Sequence, residues 1–431
     1  MPACKCYDRP RTTQRNFWFV MLILSLLFII IYFGLRSLFI NHQEKVTNVS
    51  ETTNNINHYE VSNKHPWRLN KTIMEGRKTL NNYSRRLVWP EELSNGDRIM
   101  EQILFVPSNY NRETAPIKKI LLYNGIGYSW EIPRLGQEEF IDCPVSSCSM
   151  TTDKSLAPLV EAILFKHKYN GSEHIRPPNQ IWIIYFTEGP YISPIFQDNN
   201  VFNWTATYRM DSDIPNPYSY WYQYNEQEIK IRPKVPKKNY ASGKIKQVAW
   251  FVSDCKPFNN RSGYAHELSK HISVDIYGKC GPLKCPKSNK CFLMLKNTYK
   301  FYLAFENAHC MHYITEKLYT NAYNNDLIPV VMGPYKKDYE LLAPKNSFIH
   351  VDDFDSPQSL ANYLHKLDRN DDLYNEYFKW KGTGELVLYI NNAMFYCRLC
   401  AMLHDDNHAP KHYADFNDWW RGEGKCNQKI T

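Results

Sequence analysis

The segment Phe305–Lys317, FENAHCMHYITEK, gathers Asn307, Tyr313, Glu316 and Lys317 between two elements of opposite character. The apolar run before it, Lys300–Phe305 (KFYLAF), reads as a strand, and Ile314–Asn324 after it reads as a helix. In an open α/β sheet, ligands sit in the crevice beyond the carboxyl ends of the strands. Free N–H groups at a helix start near Ile314 suit a phosphate, and Lys317 adds a point charge. No GxGxxG or GxxxxGK[ST] occurs there, so dinucleotide and P-loop readings lack their phosphate loop. On the residues alone, Glu316 and Lys317 are more readily read as solvated charges on a helix surface.

Strand–helix alternation surrounds this segment. Ile120–Asn124 and Ile181–Phe186 read as buried strands, with helical spacing over Ser155–Lys166 between them. A second series has strands at Gln247–Ser253, Ser273–Tyr277, Lys300–Phe305, Leu327–Met332 and Ser347–Val351. Its helices fall at Arg261–His271, Ile314–Asn324 and Pro357–Leu367, and Ile231–Ser242, polar and proline-bearing, reads as the linker between the two series. The fold class is therefore α/β, with two Rossmann-like domains facing a cleft. No internal repeat is evident.

The chain's 431 residues exceed one ordinary core, and 43% hydrophobic with 15% aromatic content excludes wholesale disorder. A net charge of +8, partly carried by the first sixteen residues, gives no nucleic-acid footprint. Phe17–Leu35 runs nineteen residues without a charge, enough to cross a bilayer. A cleaved signal peptide would have a shorter apolar region and a small-residue cleavage site. Basic residues before the run place the N-terminus in the cytoplasm and residues from about 41 onward in the lumen, a single-pass type II arrangement. Residues 41–63 carry too little apolar surface to fold and read as flexible stem. Sequons at Asn48, Asn70, Asn82 and Asn170 are glycosylation candidates, whereas those at Asn203 and Asn260 read as buried. Of twelve cysteines, Cys4 and Cys6 are cytoplasmic, and the ten others form an even set in an oxidising compartment, which implies disulfides of undetermined pairing. Cys397-x-x-Cys400 could alternatively be a redox motif or half a zinc site, but no second ligand pair follows it.

Tyr299–Pro334, YKFYLAFENAHCMHYITEKLYTNAYNNDLIPVVMGP, closely resembles the donor-binding motif of the α1,3-fucosyltransferases, including invertebrate and plant members. The resemblance extends to Phe202–Ile214 (FNWTATYRMDSDI), Trp250–Cys255 (WFVSDC), Asn259–Leu268 (NNRSGYAHEL) and Val274–Gly281 (VDIYGKCG). It also takes in Phe348–Phe354 (FIHVDDF), Phe378–Glu385 (FKWKGTGE), Tyr396–Cys400 (YCRLC) and Asp418–Cys426 (DWWRGEGKC), so that it runs from about residue 100 to 426.

That resemblance implies a GT-B-like architecture. It would comprise a cytoplasmic tail (1–16), a transmembrane signal-anchor (17–35), a stem (36–99), an acceptor-binding domain (100–240), a GDP-fucose-binding domain (241–385) and a C-terminal segment (386–431) returning to the acceptor domain. It further implies an inverting enzyme of the Golgi membrane moving L-fucose from GDP-β-L-fucose to the 3-hydroxyl of GlcNAc in glycoprotein N-glycans. The core GlcNAc is favoured over antennal lactosamine or LacdiNAc. A membrane-tethered glycan-binding protein that has lost turnover is the reading from a different class. Donor contacts map onto Arg261, Asn307, Tyr313, Glu316 and Lys317, with Arg261 gripping phosphate oxygens through its guanidinium fork. The general base maps onto Glu188, where Gly189 replaces the family's Ser or Cys. Asp211-Ser212-Asp213 imitates the DxD of metal-dependent transferases, but it lies far from the donor residues, so no metal is expected to be required and Mn²⁺ would at most stimulate. The resemblance also pairs Cys143 and Cys148 with Cys397 and Cys400, and Cys255 with Cys280.

Overall fold

The computed structural model describes residues 87–427 apart from 93–96, 128–132, 233, 286–287 and 389–392. The expected anchor Phe17–Leu35, the sequons at Asn48, Asn70 and Asn82, and most of the stem lie outside the described residues. Among the described residues no helix is long and apolar enough to cross a membrane.

The first sheet contains β1 (Lys118–Leu122), β2 (Cys148–Thr151), β3 (Ala162–Lys166), β4 (Ile181–Phe186) and β5 (Trp204–Thr207), all parallel, in the order β2–β1–β3–β4–β5. After it come β6 (Ser219–Gln223) and the linker. The second sheet contains β7 (Lys246–Phe251), β8 (Val274–Tyr277), β9 (Tyr299–Phe305), β10 (Ile328–Met332) and β11 (Ile349–His350), again all parallel, in the order β11–β10–β9–β7–β8. Counted within each sheet, both orders are 2-1-3-4-5, so one doubly wound topology is used twice without a sequence repeat to announce it. A last strand, β12 (Gly384–Leu388), pairs antiparallel with β6.

Local sequence explains most of these elements. The central strand β9, YKFYLAF, is buried at every position, as a parallel strand covered on both faces requires. The helix Pro357–Asp368 opens with a Ser356 capping box and proline in its first turn, and it buries Leu360, Ala361, Leu364 and Leu367 on one face.

Two expectations are corrected. Ser155–Lys166 is not a helix: Lys154–Leu159 makes a 3-10 turn containing Pro158, and the chain then extends from Val160 into β3. Proline lacks the N–H for a continuing helix and disfavours the helical region at the preceding residue, while the AILFK run suits a strand buried on both faces. The helix expected from Ile314 starts at Glu316 instead and is a π-type turn over Lys317–Ala322, closed by a 3-10 turn (Tyr323–Asn325) and left-handed Asp326.

The C-terminal segment returns to the first sheet. Its helix Ala393–Leu403 contributes Phe395, Leu399 and Met402 to that sheet's core, and Arg398 donates to the carbonyl of Pro215 at 2.7 Å. Cys397 is bonded to Cys143 and Cys400 to Cys148, so the CxxC residues belong to two different bridges. Cys255–Cys280, Cys285–Cys291 and Cys310–Cys426 complete the disulfides among the described residues. Val88 and Trp89 are buried in the same core, so packing reaches into the segment assigned to the stem.

Candidate active site

In a 2-1-3-4-5 sheet the crevice opens between the first and third strands, here β7 and β9. Arg261 lies across that point. Its guanidinium donates to the carbonyl of Phe305, the last residue of β9, and to that of Asp254, just beyond β7, both at 2.9 Å. The side chain is buried and its fork is engaged by main chain, and Nε is buried without a partner. Asn307 Oδ1 is likewise buried and unpaired. Two orphaned polar atoms at one switch point mark where a polar ligand would complete the bonding.

Lys317 reaches the same place from the π-type turn. Its ammonium donates to Glu306 Oε2 at 2.8 Å and to Thr315 Oγ1 at 2.7 Å, and lies 3.4 Å from Glu316. Glu306 is 1% exposed and also accepts from the N–H (2.8 Å) and hydroxyl (2.9 Å) of Thr315. Burial pushes the Glu306 carboxyl above its ordinary range. Burial works against the Lys317 ammonium, but Glu306 and Glu316 outweigh it and hold Lys317 above the ordinary lysine value. Burial likewise opposes the charge on Glu316, and Lys317 overcomes it, so this carboxyl is held below its ordinary value. The result is a compact Arg261–Glu306–Lys317–Glu316 cluster in which each charge has an opposite neighbour.

Glu188 stands at the carboxyl end of β4, on the turn leaving the first sheet. The Tyr313 hydroxyl, from the second sheet's loop, donates to Glu188 Oε2 at 2.8 Å. Tyr313 is itself buried, and burial first, then Tyr218 and Glu188, pushes its phenol well up. Tyr218 is raised by burial and then by the charges of Glu188 and Glu316. A Cβ added at Gly189 would meet the Tyr313 ring at 3.8 Å, an ordinary contact, so serine or cysteine would fit the same turn.

The structure thus brings Glu188, Arg261, Asn307, Tyr313, Glu316 and Lys317 into one locality. Sequence reasoning missed Glu306 and Tyr218. A glutamate directly after a fully buried strand is a detectable signal, because such a charge needs a partner. Asp211 and Asp213 do not join the group. Asp211 accepts from Arg209 Nε at 2.8 Å. Buried Asp213 accepts from the Thr205 N–H (2.7 Å), the Tyr413 hydroxyl (2.9 Å) and Lys411 (2.6 Å), leaving little to offer a cation. Of the sequons, Asn170 is exposed and Asn203 is committed to Trp182 and Lys411; Asn260, expected buried, is exposed just before Arg261.

Residues 241–419 match the C-terminal domain of glycosyltransferase family 10 (fucosyltransferase), and residues 115–219 match the fucosyltransferase N-terminal domain. The chain is 46% identical over 360 residues to the Drosophila melanogaster protein named glycoprotein 3-alpha-L-fucosyltransferase A, covering 81% of this chain and 70% of that one. It is 33% identical over 314 residues to Caenorhabditis elegans alpha-(1,3)-fucosyltransferase fut-1, covering 70% of each. A solved α1,3-fucosyltransferase with GDP-fucose is similar at a TM-score of 0.44 and 16% identity, over 72% of this chain and 96% of that chain. With both sheets matched and most of the Drosophila protein spanned at high identity, the chain belongs to glycosyltransferase family 10, the fucosyltransferases.

Proposed function

We propose that the protein is a GT-B-like, inverting α1,3-fucosyltransferase that moves fucose from GDP-β-L-fucose to the 3-hydroxyl of the core GlcNAc of glycoprotein N-glycans. The observation that carries the reading is the Tyr313–Glu188 hydrogen bond, because it brings a solvent-accessible carboxylate from one sheet to the switch-point cluster of the other. Glu188 takes the proton of the acceptor hydroxyl as that oxygen attacks the anomeric carbon from the face opposite the diphosphate. Lys317 and Arg261 supply positive charge as the bond to GDP breaks, and Asn307 and Glu316 hold polar groups of the donor. No metal is required on this reading. A glycoprotein acceptor is supported by the 46% relative, whose name specifies glycoprotein; the preference for the core GlcNAc rests on the resemblance of the C-terminal WWRGEGKC stretch, part of the segment packed beside the Glu188 turn, to invertebrate members. We further infer a Golgi membrane enzyme with a lumenal catalytic body, supported by the uncharged Phe17–Leu35 run and the five disulfides.

The test is incubation of the full-length protein in detergent with GDP-fucose and defined glycans, followed by linkage analysis. Transfer to the 3-position of core GlcNAc is expected. Transfer confined to antennal GlcNAc would overturn the acceptor assignment, and glycan binding without transfer would overturn the enzyme reading.

A further inference from the structure

We propose that Phe258 and Tyr313, both on loops of the second sheet, clamp the turn that carries Glu188, so that the acceptor-side base is aimed from the donor side; Phe258 is thereby a positioning residue. The proposal rests on the reading of Glu188 as the base.

The turn behaves as a unit. The carbonyl of Gly189 accepts from the N–H groups of Ile192 (3.0 Å) and Ser193 (3.2 Å), closing the chain on itself just beyond Glu188. Its back is pinned by the C-terminal helix Phe416–Arg421: the Trp420 indole N–H donates to Ser193 Oγ at 2.7 Å, and Arg421 donates to the carbonyls of Ser193 and of Pro194. Its front meets the second sheet twice. Tyr191 stacks on Phe258 with centroids 5.0 Å apart and planes 16° apart, and Glu188 accepts the Tyr313 hydrogen bond.

Both front contacts have fixed origins. The Tyr313 ring is flanked by Tyr208 at 5.0 Å and Tyr218 at 6.2 Å, which fixes the ring from which the hydroxyl reaches Glu188. The Phe258 N–H donates to the carbonyl of Asn307 at 2.9 Å, which ties the stacking ring to the residue whose amide oxygen is orphaned. A glutamate on an exposed turn otherwise samples several rotamers. Holding one carboxylate oxygen leaves the other to receive the acceptor proton, and such positioning matters because a base must lie within hydrogen-bond reach of its proton. Phe258 keeps about half its surface open, so the stack is an exposed contact and not part of a core.

In Phe258→Ala the main-chain bond to Asn307 survives. The full-length variant is therefore expected to bind GDP within about twofold of wild type by calorimetry, while kcat falls roughly five- to tenfold at unchanged acceptor KM, the size of one aromatic pair. Phe258→Tyr should restore kcat. Tyr191→Ala should match Phe258→Ala, and the double variant should cost no more than either single, because all three remove the same stack. Wild-type kcat in Phe258→Ala, additive losses in the double variant, or a parallel fall in GDP affinity and thermal stability without a specific kcat effect would overturn the clamp. Glu188→Gln separates the two readings. Full activity in that variant removes the base itself, whereas an inactive Glu188→Gln beside a fully active Phe258→Ala removes only the clamp.

Discussion

Lys317 and Glu306 form an ion pair at the carboxyl end of β9, Nζ 2.8 Å from Oε2, with only 1% of the glutamate side chain exposed. A diphosphate arriving there competes with Glu306 for the ammonium. Lys317→Ala is therefore expected to weaken GDP by about one to two decades, the loss of one charge-assisted contact. Glu306→Gln should bind GDP at least as tightly as wild type yet melt earlier, because the competing carboxylate and the lysine's buried partner disappear together. Calorimetry and thermal unfolding of both variants check this; weaker GDP binding in Glu306→Gln would mean that the glutamate supports the donor site instead of competing for its cation.

Glu188→Gln keeps the shape of the side chain and removes its basic oxygen. Its kcat should fall by at least about 10²-fold with GDP affinity near wild type and no rescue by more acceptor, since the interaction is used in the transition state. A raised acceptor KM at normal kcat would point to substrate positioning instead.

Chelation should leave most activity in place, because the carboxylates of Asp211 and Asp213 are engaged by Arg209 and Lys411. Asp213→Asn is expected to lose about 1–3 kcal/mol of stability, because the Thr205 N–H, the Tyr413 hydroxyl and Lys411 lose a charged acceptor while Glu91 still pairs with Lys411. Activity assays after EDTA treatment, with and without Mn²⁺, test this. Complete loss on chelation, restored by Mn²⁺ in wild type but not in a folded Asp213→Asn, would reverse the assignment.

Lys244 should give stability a pH dependence remote from catalysis. Burial depresses its ammonium to about 7 against the pull of Asp326, with Lys238, Lys381 and Lys296 adding repulsion. Between about pH 7 and the ordinary lysine value of ~10.4 the unfolded chain binds more protons at this position, so Lys244 makes stability rise with pH across that window. Lys244→Met should melt higher than wild type at pH 6–7 and show a shallower rise from pH 7 to 9. A steeper rise in the variant would refute the assignment.

Peptide mapping under non-reducing conditions should recover Cys143 linked to Cys397 and Cys148 linked to Cys400. Reduction should destabilise the body by about 2–4 kcal/mol per bridge. Recovery of Cys397 bonded to Cys400 would contradict the structure.

Much of the second sheet was legible because its strands are short apolar runs bounded by turn residues: LIPVVM and KFYLAF carry their own burial pattern. The β4 run IWIIYF matched residue for residue. β3 is hidden in the sequence because AILFK continues a helical spacing that begins at Ser155, and Pro158 is the residue that separates turn from strand. β2 and β5, four residues each, were too short for a periodic signal. At the site, residue types within one segment were readable, whereas contacts between sheets were not. Tyr191–Phe258 and Tyr313–Glu188 join positions 67 and 125 apart, and nothing local encodes such pairs.

The two bridges from the Ala393–Leu403 helix also order events during synthesis. The first sheet is translated first, yet its core lacks Phe395, Leu399 and Met402 until the whole second sheet has emerged. At ribosomal speeds of about 5–20 residues per second, Cys143 waits on the order of 10–50 s for a partner 254 residues downstream. Throughout that interval Cys148, five positions away, is the nearest available thiol. The native bonds must therefore form late or replace an early local one, and either route ties the completion of the N-terminal half to the last stretch of the chain.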